Sequence, residues 1–158
     1  MTSNDRWISK DPATRTGLFQ HISEVPEHNR LRNYANRFQD QDTWSEYVDE
    51  EHLCHDDLSE RFLLDIERRE HRWKDFCSEH VEHHALCSPS HAKEYAAYLL
   101  DEYSIKLTTA ADYWAAIERF YRWMFHHTEY PHRYNPFVMA AVEDSTSEEL
   151  WMIAIEPN

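Results

Sequence analysis

Glycine occurs once in the 158 residues of this sequence, at Gly17. A chain of this length would ordinarily contain roughly ten glycines, since glycine makes up about 7% of residues in proteins. Two-residue β-hairpin turns need Gly or Asn at positive φ, and the phosphate-binding loops of nucleotide-binding proteins need several glycines in a short run. The sequence therefore excludes nucleotide-binding loops of those types and disfavours a sheet built from tight hairpins.

Aromatic side chains, in contrast, are frequent. Six Trp, nine Tyr and seven Phe make up 14% of the chain. They supply enough apolar surface for a substantial core although the mean hydropathy is −0.85, whereas chains that stay disordered have few aromatic residues. We therefore expect a folded protein, and its length suits one domain or one domain with an arm.

The charge balance is strongly acidic. The chain has 30 Asp and Glu against 16 Lys and Arg, a formal net charge of −14, and only four of the cations are Lys whereas twelve are Arg. An acidic, Lys-poor composition is typical of cytoplasmic proteins in halophiles that accumulate molar salt, because salt screens the self-repulsion. The alternative is an ordinary acidic protein.

Nothing in the sequence points to a membrane or to an oxidising compartment. It has no apolar run near the ~18 residues of a membrane span, and its first residues lack the apolar segment of a signal peptide. The three cysteines, Cys54, Cys77 and Cys87, are an odd number without the spacing of a disulfide scaffold. We therefore expect reduced thiols, a cytoplasmic location and no membrane partner.

The chain divides into three segments by composition. Residues 1–57 are polar, with weak apolar periodicity, and are expected to form an N-terminal arm with short helices near 27–38 and 43–51. Residues 58–143 carry a strong helical pattern. Residues 144–158 are expected to form an acidic tail whose short apolar stretch, 151–155, could dock on a partner.

Apolar residues at spacings of three and four predict four helices in the middle segment, over about 58–84, 90–103, 109–127 and 137–143. On the first of these, Leu58, Phe62, Ile66 and Trp73 share one face. Caps are expected at Ser59 for the first helix, at Ser88 or Ser90 for the second and at Thr108 or Thr109 for the third. The pattern indicates an all-α fold.

Part of this pattern resembles the core-binding domain of tyrosine recombinases and phage integrases. The matching elements, in chain order, are Arg72-Trp73-Lys74-Asp75-Phe76-Cys77, Tyr95-x-x-Tyr98-Leu99-Leu100, Leu107-Thr108-Thr109, Tyr113-x-x-x-Ile117-x-x-Phe120-Tyr121-x-Trp123 and Asn135-Pro136. The resemblance covers residues 58–143, over half of the chain. Together with the acidic composition it suggests a version from a haloarchaeon or an archaeal virus.

The resemblance implies a four-helix, SAM-like bundle that clamps one face of duplex DNA. In the family a catalytic domain follows, with an H-x-x-R element and a nucleophilic tyrosine. This chain has no such element downstream of the bundle, so the resemblance implies DNA binding without strand cleavage, and we expect no enzymatic activity. Where the family's first helix usually starts near Ser-x-x-Thr, the sequence reads Glu67-Arg68-Arg69-Glu70.

Seven residues of the bundle are predicted to contact DNA, because phosphate binding needs cations gathered in one patch. They are Arg68, Arg69 and Arg72 on the first helix, and Lys106, Thr109, Arg119 and Arg122 on or next to the third. The alternative is a solvated helix surface with ion pairs such as Glu118–Arg122 and Glu70–Lys74. Double-stranded DNA is the expected partner, with a recombinase or a second copy of the chain as further candidates. A helical protein-interaction module without DNA binding is the alternative function.

A weaker signal is a group of metal-ligand residue types at one helix end, Cys77, His80, His84 and Cys87. Their spacings of three, four and three would suit a tetrahedral zinc site. However, cysteines on a core face usually act as small apolar residues, and histidines near a helix C-terminus suit the helix dipole. We therefore expect no metal, no cofactor and no small-molecule substrate.

Overall fold

The computed structural model describes residues 9–54, 57–102 and 105–155. Every regular element in these ranges is helical, as the sequence predicted. Four 3₁₀ turns span Pro12–Thr14, Ile22–Glu24, Glu27–Asn29 and Leu31–Tyr34. The α-helices are α1 (Ala35–Phe38), α2 (Thr43–Glu51), α3 (Glu60–His80), α4 (Pro89–Asp101), α5 (Leu107–Phe125), α6 (Pro136–Glu143) and α7 (Ser145–Ile155). None of the helices in the described ranges is both long and apolar enough to cross a lipid bilayer.

Helix α5 lies at the centre of the fold. It contacts α2, α3, α4, α6 and α7, and its buried side chains point in several directions, including Trp114, Ile117, Phe120 and Tyr121. The hydroxyl of Tyr121 accepts the backbone N–H of Cys87 at 3.0 Å and donates to the carbonyl of His84 at 2.8 Å. These bonds hold the α3–α4 connection against α5.

The predicted caps at α3 and α4 are confirmed. The Ser59 hydroxyl accepts the N–H of Phe62, and Ser88 caps α4 with Pro89 in its first turn. The prediction for α5 is wrong, because the helix begins two residues before Thr109, with Lys106 as N-cap and no side-chain cap hydrogen bond. The Lys106 carbonyl already accepts the N–H of Ala110 at 2.8 Å, so both threonines lie within the first turn.

The first half of α3 is more exposed than its pattern predicted. Ile66 and Trp73 are buried, together with Phe76 and Cys77, but Phe62 on the same predicted face is 37% exposed. Leu63 and Leu64 are also exposed. The apolar face of α3 therefore packs into the core only from Ile66 onward.

The prediction of a tail at 144–158 is wrong for its described part, because Ser145–Ile155 forms α7, and residues 156–158 lie outside the described ranges. Asp144 accepts both the backbone N–H and the hydroxyl of Ser147, which starts the helix. Leu150 and Trp151 are buried, and α7 contacts α4, α5 and α6. The apolar stretch assigned to a partner thus packs largely inside the fold, since buried positions 147, 150 and 151 follow helical spacing.

The N-terminal segment packs against the bundle along its described length. Val25, Leu31, Phe38, Trp44 and Tyr47 belong to the same buried cluster as the core of α3 to α7. Many hydrogen bonds attach the segment to distant positions. Three of them run from Trp151 Nε1 to the Lys10 carbonyl (2.8 Å), from Leu31 N to Tyr134 Oη (2.9 Å) and from Trp44 N to His84 Nε2 (3.1 Å).

Candidate nucleic-acid interface

The three predicted DNA-contacting residues of α3 are all engaged by acidic groups. Arg69 donates to Asp112 on α5 at 3.0 Å, while Arg68 lies 3.8 Å from Asp65. Arg72 lies 3.9 Å from Asp75 and donates to the Tyr98 hydroxyl at 3.3 Å. A DNA phosphate would have to compete with these carboxylates.

Two of these arginines share an open cleft of about 560 Å³ between α3 and α5. Arg68 and Arg72 line it together with Glu67, His71, Leu64 and Tyr113. Because Glu67 contributes a carboxylate to the same wall, the cleft has mixed charge, and its attraction for a polyanion is weaker than the three arginines of α3 suggest.

The other four predicted residues follow α5 from its N-cap to its last turn. Lys106, Thr109, Arg119 and Arg122 are all exposed. Among the described residues neither Lys106 nor Arg119 has a hydrogen-bond or ion-pair partner. At about 100° of rotation per residue, Arg119 and Arg122 lie about 60° apart around the helix, whereas Lys106 and Arg122 lie about 160° apart. The structure thus brings Arg119 and Arg122 together and places Lys106 on another side.

Arg122 is held by a buried carboxylate, as the expected Glu118–Arg122 pair requires. Glu118 is 2% exposed, and its Oε2 accepts Arg122 Nε at 3.0 Å while its Oε1 accepts Arg122 Nη2. Burial lowers the pKa of Arg122, but the hydrogen bonds and charge of Glu118 outweigh burial and raise the pKa above its ordinary value. Glu118 also accepts Asn135 Nδ2 at 3.0 Å, and Asn135 caps α6. Arg122 therefore has a structural role whether or not it contacts DNA.

Arg119 and Arg122 form a ridge between two clefts. The cleft toward α2, of about 430 Å³, also contains Glu50, Glu51 and three histidines, His52, His126 and His127. The cleft toward α7, of about 260 Å³, also contains Arg15, Ala115, Glu118, Trp151, Ala154 and Ile155. We call this second space the α5–α7 cleft.

Arg15 lines the α5–α7 cleft with Arg119 and Arg122 and was not among the residues predicted to contact DNA. Its Nε donates to the Ser9 carbonyl at 2.8 Å, and its guanidinium lies 5.6 Å from the centre of the Trp151 ring. The local signals were Asp11-Pro12, which begin the 3₁₀ turn before Arg15, and Gly17, which follows it at φ +81°. Neither signal says which distant helix the turn contacts.

The weak metal candidates do not share a site in the structure. Cys77 and Cys87 are buried, and burial raises the pKa of both thiols, that of Cys87 to about 12. His84 Nε2 is occupied by the N–H of Trp44, and burial lowers the pKa of His84 to about 3. His80 stacks on Phe76. No three His, Cys, Asp or Glu side chains in the described ranges form a group that could hold a metal ion.

Comparisons with protein-family models, with curated proteins and with solved structures gave no match for this chain.

Proposed function

We propose that this chain is a non-catalytic, cytoplasmic DNA-binding protein related to the core-binding domain of tyrosine recombinases, acting as an accessory factor, a regulator or a truncated integrase. The observation that carries the proposal is the pair of neighbouring arginines on α5. Arg119 has no acidic partner among the described residues, and Arg122 is fixed in place by a buried carboxylate. The chain has a net charge of −14, so its acidic side chains outnumber its cations. Arg119, which has no acidic partner among the described residues and lies beside the fixed Arg122, is therefore available to an external phosphate.

The length of α5 suits the proposal. From Lys106 to Arg122 the helix rises about 24 Å, at about 1.5 Å per residue. That distance corresponds to about seven base pairs of duplex at about 3.4 Å per step. Arg119 and Arg122 can therefore contact one stretch of backbone, whereas Lys106 and Thr109 lie on another side of α5 and can reach a phosphate only of a duplex that curves around the helix. The α3 arginines contribute less, because Arg69 is bonded to Asp112 and Glu67 shares the cleft of Arg68 and Arg72.

The acidic charge of the rest of the molecule sets the conditions for binding. At low salt the net charge repels DNA, and at molar salt the Debye length of about 3 Å confines this repulsion to close contacts. The favourable contacts are also weakened by salt, since each phosphate contact contributes about −0.9 to the slope of log K against log salt. Binding in a salt-rich cytoplasm must therefore rest on hydrogen bonds and shape as well as on charge.

The test is fluorescence anisotropy of a labelled pool of random-sequence duplexes over a KCl series, with folding checked by circular dichroism at each concentration. Lys106→Ala/Arg119→Ala removes two cations that have no partner in the described ranges. Arg122 is kept, because its loss would leave Glu118 unpaired. The control is Arg133→Ala, which removes an exposed arginine that lines neither cleft beside the ridge.

We expect the wild type to bind, the double variant to bind about tenfold more weakly, and the control to stay within about twofold of the wild type, since one lost phosphate contact is worth on the order of 1 kcal/mol. Equal binding by the wild type and the double variant would refute the assignment to α5. Absence of binding by the wild type at every KCl concentration where it is folded would refute the function.

A second candidate function, a helical interaction module without DNA binding, is favoured by one observation. Leu53, Phe62, Leu63 and Leu64 are 37 to 49% exposed, and the His52 and Phe62 rings lie 5.4 Å apart, which places α2 and the start of α3 side by side. Molar salt strengthens apolar association and screens the repulsion between two acidic copies, so a second copy of this chain is the occupant we consider.

Sedimentation equilibrium of the wild type and of Leu63→Ser/Leu64→Ser tests this association. A dimer that is lost in the variant supports the interaction function, and a wild-type monomer rules it out.

A further inference from the structure

We infer that the α5–α7 cleft is a binding site for a phosphoryl group, and that Arg15 from the N-terminal segment completes it. The main occupant is a phosphate of the DNA backbone, and in this respect the inference rests on the proposed function and deepens it. Free phosphate offers the same chemistry, and the experiment below distinguishes the two sources.

Charge is the first argument. Arg15, Arg119 and Arg122 line the cleft, and Glu118 is its one acidic lining residue. Because Glu118 is buried and bonded to Arg122, the charges of Arg15 and Arg119 remain without an acidic partner among the described residues that line the cleft. This excess matches the charge of a phosphate monoester or of two backbone phosphates.

Three other surface clefts of the described residues lack this excess. The cleft on the opposite side of the ridge is lined by Glu50 and Glu51 beside the same two arginines, so an anion that entered it would lie next to two carboxylates. A cleft beside the end of α2 contains three glutamates and one arginine. A further cleft against α4 contains three acidic residues and no Lys or Arg. An anion therefore has an electrostatic reason to enter the α5–α7 cleft rather than these.

Preorganisation is the second argument. Arg15 is half-buried, and its guanidinium is oriented by the Ser9 carbonyl and by the face of Trp151. Trp151 is itself fixed, because it is 3% exposed and its Nε1 donates to the Lys10 carbonyl. Arg122 is fixed by Glu118 in the same way. Two of the three guanidinium groups are thus held before a ligand arrives, which lowers the entropy that binding costs.

The chemistry of the walls favours a phosphoryl group over other anions. Guanidinium groups pair with phosphate through parallel hydrogen bonds, and three of them can serve the oxygens of a free phosphate or of two neighbouring backbone phosphates. Ala115, Ala154 and Ile155 supply apolar walls, and charge-assisted hydrogen bonds are stronger where water is partly excluded. Because Trp151 is buried beneath Arg15, its ring serves to position the arginine rather than to stack on a base.

The experiment follows the Nε–Hε resonances of the arginines by NMR in the full chain. Inorganic phosphate is titrated against KCl at constant ionic strength, and a short duplex is titrated in a second series. Arg15→Leu removes the charge and keeps an apolar side chain over Trp151, and Arg133→Leu is the matched control. The thermal midpoint of each variant verifies that it folds.

We expect phosphate and duplex to shift the Arg15 and Arg119 resonances in the wild type. We also expect Arg15→Leu to weaken duplex binding and to reduce the slope of log K against log salt by the value of about one contact, whereas Arg133→Leu should change neither quantity.

If the wild type binds duplex and Arg15→Leu leaves affinity and slope unchanged, the inference is wrong and the proposed function stands. If phosphate shifts these resonances and duplex does not bind, free phosphate is the occupant and the proposed function is wrong. If neither ligand shifts them, both are wrong.

Discussion

Replacing Gly17 by alanine should destabilise the protein, although the position is on the surface. Gly17 has φ +81°, and an L-residue in the left-handed region costs about 1–2 kcal/mol. A Cβ at this position would lie 3.0 Å from Phe125 Cζ, closer than ordinary contact, so the ring must also move. The reduced entropy of the unfolded chain returns about 0.4–1 kcal/mol. We expect the free energy of unfolding to fall by about 1–2 kcal/mol.

The assay is urea denaturation followed by tryptophan fluorescence, with Phe125→Leu and the double variant completing a cycle. Leucine has no Cζ, so the backbone cost should persist in the Phe125→Leu background while the steric cost disappears. We expect Gly17→Ala to cost about 1 kcal/mol there. A Gly17→Ala variant as stable as the wild type, with an unchanged m-value, would refute the reasoning.

Two further predictions concern buried polar groups. Arg122→Ala should lower the free energy of unfolding, measured by urea denaturation, by about 3 kcal/mol, because it leaves the buried Glu118 without a cation. Adding Glu118→Gln should recover most of this loss. If the losses of the two single variants simply add in the double variant, the two residues are not paired. Burial lowers the pKa of His132 from its ordinary value of about 6.5 to about 4. The neutral, buried imidazole therefore stabilises the fold fully at pH values above about 6.5, and this stabilisation is lost as the pH falls toward 4. Between pH 7 and pH 4.5 the wild type should lose about 2 kcal/mol more than His132→Gln; equal losses in the two proteins would contradict a neutral, buried His132.

The helices could be predicted from sequence because their signals are local. Apolar spacing and the capping residues Ser59 and Ser88 lie within a few positions of the turns that they determine, and α3 to α6 begin within two residues of the predicted starts. The all-helical character followed from the scarcity of glycine together with this spacing. The one glycine present occupies a backbone conformation and a close contact that favour glycine.

Helix α7 was missed because acidic and apolar residues were interpreted separately. Glu148 and Glu149 suggested a solvated tail, and Trp151–Ile155 suggested a docking segment. In the structure both belong to one helix, with the glutamates in its exposed early turns, where negative charge suits the helix dipole. Length was also misleading, since 11 residues contain few repeats of the helical period.

The candidate site could be predicted only in part. Arg119 and Arg122 followed from helical proximity, three positions apart on α5. Their convergence with Arg15 depends on the packing of a turn near the N-terminus against a helix more than a hundred residues later, and no local pattern encodes such a contact. The same limitation applies to the α3 arginines, because the pairing of Arg69 with Asp112 bridges two helices.

The measurement that tests the central claim most directly is the wild-type affinity for duplex DNA as a function of KCl concentration, with folding monitored in the same samples. The account predicts measurable binding whose log K falls linearly with log salt once salt has screened the repulsion, with a slope of about −2 to −4 for two to four backbone contacts through the α5 residues and Arg15. A folded protein that leaves the labelled duplex unbound across the whole KCl series would contradict it.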